Sequence, residues 1–212
     1  MTYFVTIIVA FIVILVSMML HELAHGFVAY KLGDDTAKSE GRLTLNPFKH
    51  LDPVLSIAMP LLLFLSGGPI FGGAKPVPVD SRRLKHGVWG MAMVAIAGPM
   101  TNFILAFVAF LLGHFTGGLY TSGIIGEIFS DFLFINLGFG IFNLIPIPPL
   151  DGSRVLYAIA PDGVREVMAR MENWGIIIVL ILVVVVPGWL SMVMGGAMNG
   201  ILEFFYWIVG AK

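Results

Sequence analysis

Long runs of apolar residues dominate the chain and predict helices that cross a membrane. Residues 3–20 form an uncharged run of about 18 residues, about 27 Å long as a helix, which nearly spans the apolar part of a bilayer. Further apolar stretches lie at 88–112, 128–149 and 174–194, with a shorter one at 197–210. The pattern predicts an all-α polytopic membrane protein with about four transmembrane helices and a short C-terminal helix.

One further apolar stretch, residues 54–72, is interrupted by glycine and proline. The interrupting residues are Pro60, Gly67, Gly68, Pro69, Gly72 and Gly73. Only about a dozen apolar residues remain continuous, which is too short for a span. We therefore expect a re-entrant or cavity-lining segment here.

Basic residues orient the predicted helices, because Lys and Arg in short loops collect on the cytoplasmic side. Four lie in each of the segments 29–53 and 75–86, none in 113–127, and three in 151–173. A re-entrant 54–72 places the first two segments together in the cytoplasm. The N-terminus then lies outside, and His21 lies near the cytoplasmic end of the first helix.

Composition agrees with a single domain embedded in the membrane. The 212 residues are 58% hydrophobic and 12% charged, and the mean hydropathy is +0.95. No internal repeat is visible, so we expect one domain over 1–212, with a core at 1–157 and C-terminal helices at 174–210. The formal net charge of −1, without a long basic run, gives no basis for binding nucleic acid.

The motif HELAH carries the candidate chemistry. Cysteine is absent, so any bound metal must be held by histidine and carboxylate side chains. On a helix His21, Glu22 and His25 project into one arc of about 100°, which suits a zinc ion held by two imidazoles beside a carboxylate base. The alternative is that the helix ends at Leu20 and that HELAH is a solvated interfacial turn.

A catalytic zinc usually has a third protein ligand, and three carboxylates are candidates. Asp151 directly follows an apolar segment on the same predicted side as His21. Asp52 and Asp80 are rivals on that side, although each also suits a polar turn. The residues alone leave this choice open.

The other three histidines are not expected to bind this metal. His50 and His86 lie in basic loops, and His114 borders the predicted outer loop.

Several motifs together resemble one family. HELAH, AGPMTN at 97–102 and NLIPIPPLDG at 143–152 are similar to motifs of the site-2 protease (M50) family of intramembrane zinc metalloproteases. GRLTLNP at 41–47 and AKPVPVD at 74–80 extend the resemblance, which covers roughly residues 20–157. The resemblance is to the minimal, prokaryotic-type branch of the family, since a chain of this length is not expected to hold the PDZ or nucleotide-binding domains of many relatives.

The resemblance implies a role for each matching residue. It implies that His21, His25 and Asp151 bind one Zn²⁺ and that Glu22 is the general base. It also implies that Asn102 and Asn143 bind the substrate backbone or stabilise the intermediate. The alternative for both asparagines is a simple hydrogen bond to a neighbouring helix. The prolines before Asp151 are expected to unwind the helix there.

The predicted function is a zinc-dependent intramembrane endopeptidase of the cell membrane. Its expected partners are the lipid bilayer and membrane-spanning protein or peptide substrates, cut near the cytoplasmic face. The alternatives are a metal transporter, which would need ligands at several depths, and an inactive scaffold, which would not need Glu22. The sequence indicates neither the substrate nor the oligomeric state.

Overall fold

The computed structural model describes residues 2–58, 62, 65 and 73–211, and these contain helices and no β-strand. The α-helices are α1 (Thr2–Lys31), α2 (Thr36–Ser39), α3 (Val88–Phe115), α4 (Ile124–Asn143), α5 (Asp151–Ile159), α6 (Asp162–Glu172), α7 (Gly175–Leu180) and α8 (Pro187–Ile208). Short 3-10 helices lie at Pro47–His50 and Gly118–Tyr120, and π-helices at Pro53–Ala58 and Ile181–Val185.

Three of the described helices are long and apolar enough to cross a membrane. They are the Phe4–Lys31 part of α1, then α3 and α4. A fourth candidate is the pair formed by α6 and Gly175–Val185, which is bent by 85°. The prediction of an all-α polytopic membrane protein is confirmed.

Helix α1 continues through HELAH, as predicted, and ends at Lys31, eleven residues beyond the apolar run 3–20. The extension packs into the protein, since Ala29 forms a buried cluster with Leu84 and Val94. HELAH is therefore helical and its histidines are buried, so the alternative of a solvated turn is wrong. The helix ends at Lys31, and Gly33 just beyond it has a positive φ that allows the chain to turn back.

Prolines lie where α4 ends and where α8 begins. Helix α4 stops at Asn143, and the irregular segment 144–150 holds the three prolines, as predicted. The predicted single helix at 174–194 is wrong. Pro187 cannot continue a helix because it lacks an N–H, and it starts α8 instead. Residues 197–208 belong to α8 and do not form a separate helix.

The two basic segments 29–53 and 75–86 meet at one end of the molecule. The backbone N–H of Lys85 donates to the carbonyl of Leu32 at 2.8 Å, and Arg83 pairs with Asp35 at 2.5 Å. The prediction of a re-entrant segment at 54–72 falls mostly on residues outside the described ranges.

Helices α1, α3 and α4 form the bundle on which the site is built. Contacts from His21 to Asn102 and from His25 to Val94 show that α1 and α3 are antiparallel. Helix α4 runs parallel to α1. Phe110 of α3, Leu137 of α4 and Phe205 of α8 belong to one buried cluster, which attaches α8 to this bundle.

Candidate metal centre

The two histidines of HELAH point their Nε2 atoms at each other and at a carboxylate. The Nε2 atoms of His21 and His25 are 2.9 Å apart. Oδ2 of Asp151 lies 3.1 Å from Nε2 of His21 and 3.4 Å from Nε2 of His25. Asp151 reaches this position because the proline-rich segment ends α4 and lets α5 begin with Asp151 beside α3.

Hydrogen bonds on the far side of each ring fix where the proton lies. Nδ1 of His25 is 2.8 Å from the carbonyl oxygen of Val94, and Nδ1 of His21 is 2.5 Å from Oδ1 of Asn102. Both partners only accept hydrogen bonds, so each Nδ1 carries the proton. In the neutral form of each ring, Nε2 therefore presents a lone pair to the space beside Asp151.

These three atoms fit a zinc ion. Three such atoms 2.9–3.4 Å apart repel one another unless a proton or a metal ion is shared between them. Tetrahedral zinc with ligand bonds of about 2.0–2.2 Å places its ligand atoms about 3.3–3.6 Å apart, so outward shifts of a few tenths of an ångström bring all three atoms to zinc-binding separations. Gly98 of α3 keeps the adjoining space open, since a Cβ there would lie 2.5 Å from Nε2 of His21 and closer still to His25.

Glu22 lies beside the two histidines but is held by a different segment. The ligand atoms of His21, Glu22 and His25 all lie within 4.8 Å of one another. Oε2 of Glu22 accepts a hydrogen bond of 2.8 Å from the backbone N–H of Val77. One carboxylate oxygen is thus anchored by the backbone of a neighbouring segment.

Sequence reasoning missed the residues that hold Glu22. Val77 lies in the segment 73–80, which has no regular secondary structure. Buried Arg42 donates through Nη2 to the carbonyls of Lys75 at 2.8 Å and Pro76 at 3.3 Å. The motifs GRLTLNP and AKPVPVD contain these residues, but neither motif has a spacing that reveals a contact with Glu22.

The two candidate asparagines differ in their surroundings. Both polar atoms of Asn102 are engaged, because Oδ1 meets His21 and Nδ2 donates to Oδ1 of Asn136 at 2.8 Å. Asn143 ends α4, and its Nδ2 donates to the carbonyl of Phe139 at 3.0 Å. Asn102 therefore contacts both a candidate ligand and a neighbouring helix.

The rival carboxylates are engaged in turns. Oδ1 of Asp52 accepts from the backbone N–H of Val54 at 2.8 Å. Asp80 pairs with Arg82 at 2.9 Å, and hydrogen bonds from Arg82 lower the pKa of Asp80 to about 2.

The remaining histidines also have local roles. His50 is buried and hydrogen-bonds to the carbonyl of Thr44 at 3.0 Å. His114 hydrogen-bonds to the hydroxyl of Tyr120 at 2.7 Å, and His86 occupies a turn with φ of 68° before α3.

Comparison with known proteins identifies the family. The family model of Peptidase family M50 matches residues 116–186. "Putative zinc metalloprotease YwhC" of Bacillus subtilis is 45% identical over 180 residues, which cover 82% of this chain and 78% of that protein. The chain belongs to peptidase family M50. The resemblance predicted from the motifs is thus confirmed, as is the prediction of a zinc metalloendopeptidase.

Other members of the M50 family are more distant. "Putative zinc metalloprotease Rip2" of Mycolicibacterium smegmatis is 33% identical over 177 residues, covering 80% of this chain and 64% of that protein. "Zinc metalloprotease MJ0392" of Methanocaldococcus jannaschii is 32% identical over 152 residues, covering 71% of this chain and 34% of that protein. No solved structure matches the chain.

Proposed function

We propose that His21, His25 and Asp151 bind one zinc ion per chain, and that the enzyme cuts peptide bonds within or near transmembrane segments of membrane proteins. The observation that carries this proposal is the convergence of three lone-pair atoms, 2.9–3.4 Å apart, beside a helix that can span a membrane. Two imidazole nitrogens and one carboxylate oxygen are a donor set typical of catalytic zinc sites, so zinc is the occupant that we propose.

The reaction needs a base, and Glu22 is placed to act as one. Zinc bound to the three ligands would act as a Lewis acid towards the scissile carbonyl and lower the pKa of the attacking water. Glu22 accepts the proton of that water and returns it to the leaving amine. The hydrogen bond from Val77 anchors Oε2 and thereby fixes the direction of the carboxylate. Asn143, which ends the helix just before the turn to Asp151, is proposed to contact the substrate.

The cut is proposed to lie near the cytoplasmic face of the cell membrane. His21 is ten residues, about 15 Å of helix, from the Lys31 end of α1, where the two basic segments meet. Basic segments favour the cytoplasmic side, and water for hydrolysis can enter from there.

The substrate must unwind locally before it can be cut. In an intact transmembrane helix each carbonyl is occupied by a backbone hydrogen bond and faces no water. A transmembrane substrate with Gly or Pro near its cytoplasmic end unwinds there at a lower cost in free energy. The site-bearing region 1–157 and the helices of 174–210 are proposed to form one membrane-embedded domain.

The Glu22→Gln variant tests this function. Glutamine keeps the size and the hydrogen bond from Val77 but cannot accept the proton. Zinc should stay bound, while cleavage of a membrane-spanning substrate with a cytoplasmic Gly or Pro falls by about 100-fold to 10,000-fold. Zinc content and cleavage are measured on the same purified samples. Equal cleavage by zinc-loaded wild-type and Glu22→Gln protein would remove Glu22 as the base.

A further inference from the structure

Three side chains without exposed surface, Ser17, Asn102 and Asn136, form a hydrogen-bonded chain that ends on His21. Asn136 of α4 donates through Nδ2 to the hydroxyl of Ser17 and to the carbonyl of Phe132, both at 2.9 Å. Its Oδ1 accepts from Nδ2 of Asn102 at 2.8 Å. Asn102 then presents Oδ1 to Nδ1 of His21 at 2.5 Å.

The hydrogen-bonded chain of side chains starts and ends on helix α1. Ser17 and His21 are one helical turn apart on α1, so they share a face. Asn102 belongs to α3 and Asn136 to α4. The four side chains therefore link the three helices of the bundle next to the candidate ligand. Buried amides inside a membrane protein are costly unless they are paired, and both of these are paired.

A backbone carbonyl fixes the direction of every bond in the chain. The oxygen of Phe132 can only accept, so the NH₂ group of Asn136 must point to it and Oδ1 must face Asn102. Asn102 then directs its own NH₂ group to Asn136 and its oxygen to His21. The proton of His21 is thereby confined to Nδ1.

We propose that Asn136 is a positioning residue of the metal centre, because through Asn102 it leaves Nε2 of His21 free to bind zinc. This inference rests on the proposed zinc site. Without Asn136 the Asn102 amide can rotate and present its NH₂ group to His21. That rotation favours the proton on Nε2, and a protonated Nε2 cannot bind a metal.

A purely structural role gives a different result. If the chain only joins helices, removing Asn136 lowers the stability of the bundle but leaves the zinc affinity of the folded protein unchanged. A positioning role changes zinc affinity, and changes it only while Asn102 is present. The two roles are therefore separable by a double-mutant cycle.

The experiment measures zinc affinity by chelator competition on the full chain in detergent. Asn102→Leu should weaken zinc binding by about 10-fold to 100-fold. Asn136→Leu should also weaken zinc binding, but by a smaller factor than Asn102→Leu does. The double variant should bind zinc no more weakly than Asn102→Leu alone. The matched control is Asn199→Leu, at an exposed asparagine of α8, which should bind zinc as the wild type does.

A second measurement covers the case in which Asn136→Leu fails to fold. Asn136→Ala removes the same amide with less bulk. In the zinc-loaded wild type with ¹⁵N-labelled histidine, His21 should give a slowly exchanging N–H resonance at Nδ1. In Asn136→Ala this proton should exchange faster with water, while the corresponding proton of His25, held by Val94, should not change.

Two outcomes overturn the inference: wild-type zinc affinity in Asn136→Leu or Asn136→Ala, or additive losses in the double variant. Failure of the proposed function looks different. If His21→Ala retains zinc, the site itself is wrong. If His21→Ala loses zinc while both Asn136 variants bind it normally, the site stands and the positioning role is wrong.

Discussion

His21 uses its two ring nitrogens for different tasks. Nδ1 donates to Asn102 on one side, while Nε2 faces His25 and Asp151 on the other. His25 repeats the arrangement with the carbonyl of Val94 as its acceptor. Such outer hydrogen bonds orient metal-binding histidines and raise their basicity, so the geometry holds both rings ready for a cation.

The three proposed ligands can be tested one at a time. His21→Ala, His25→Ala and Asp151→Ala should each lose most of the one zinc expected per chain, because two ligands do not make a closed site. The measurement is metal content after dialysis against a weak chelator. Asp52→Ala and Asp80→Ala are the controls, and loss of zinc in either would reassign the third ligand.

Gly98 allows a test that leaves every ligand in place. A methyl group there would lie 2.5 Å from Nε2 of His21, far inside contact distance. Overpacking of this kind costs about 1–3 kcal/mol, or about 5-fold to 150-fold in zinc affinity for Gly98→Ala. The matched control is Gly138→Ala in α4, where a Cβ meets nothing within 4 Å. Equal zinc affinity in the two variants would show that Gly98 does not border the metal.

The irregular segment 73–80 connects the two basic segments to Glu22, the proposed base. Arg42 binds its carbonyls, and Ser56 donates to the carbonyl of Gly73 at 2.6 Å. At the far end Asp34 accepts from the N–H of Asp80 at 2.7 Å. The segment is thus fixed at both ends, with the N–H of Val77 directed at Glu22 between them.

Loss of the Arg42 anchor should therefore slow catalysis without removing the metal. A displacement of about 1 Å at a catalytic group can cost about 100-fold, so Arg42→Gln should lower cleavage by about 10-fold to 100-fold at full zinc occupancy. Arg170→Gln is the control, since its side chain is 83% exposed and lies on α6, away from this segment. Unchanged cleavage in Arg42→Gln would show that Glu22 does not depend on this segment.

Spacing and hydropathy predicted the elements that depend on local sequence. HELAH placed His21 and His25 on one helical face, and the prolines after Asn143 predicted the break before Asp151. The continuation of α1 beyond HELAH to Lys31 was not predicted, because its residues are helical through packing against α3 and the 73–80 segment. The contact of Val77 with Glu22 was also missed, since 55 residues separate the partners and no pattern encodes such a pairing.

At the scale of the whole molecule, the position of the loops gives a topology that labelling can check. Exposed Ser39 and Ser81 lie in the two basic segments that meet at one end of the bundle. Single cysteines at these positions, in a chain without natural cysteine, should both react with a membrane-impermeant reagent from the cytoplasmic side. Cysteine at Ser122, in the loop before α4, should react only from outside. Labelling of Ser39 and Ser81 from opposite sides would contradict the shared location.

The unbroken course of α1 has a geometric consequence. The candidate span begins at Phe4, and seventeen residues of continuous helix, about 26 Å, separate it from His21. A continuous helix has a fixed rise per residue, so the number of residues between Phe4 and His21 fixes the distance between them. In the proposed orientation, this distance sets how far the proposed zinc ligands lie below the outer face of the membrane, in a bilayer whose apolar layer is about 30 Å thick. The length of one helix thereby determines the depth that we propose for substrate cleavage.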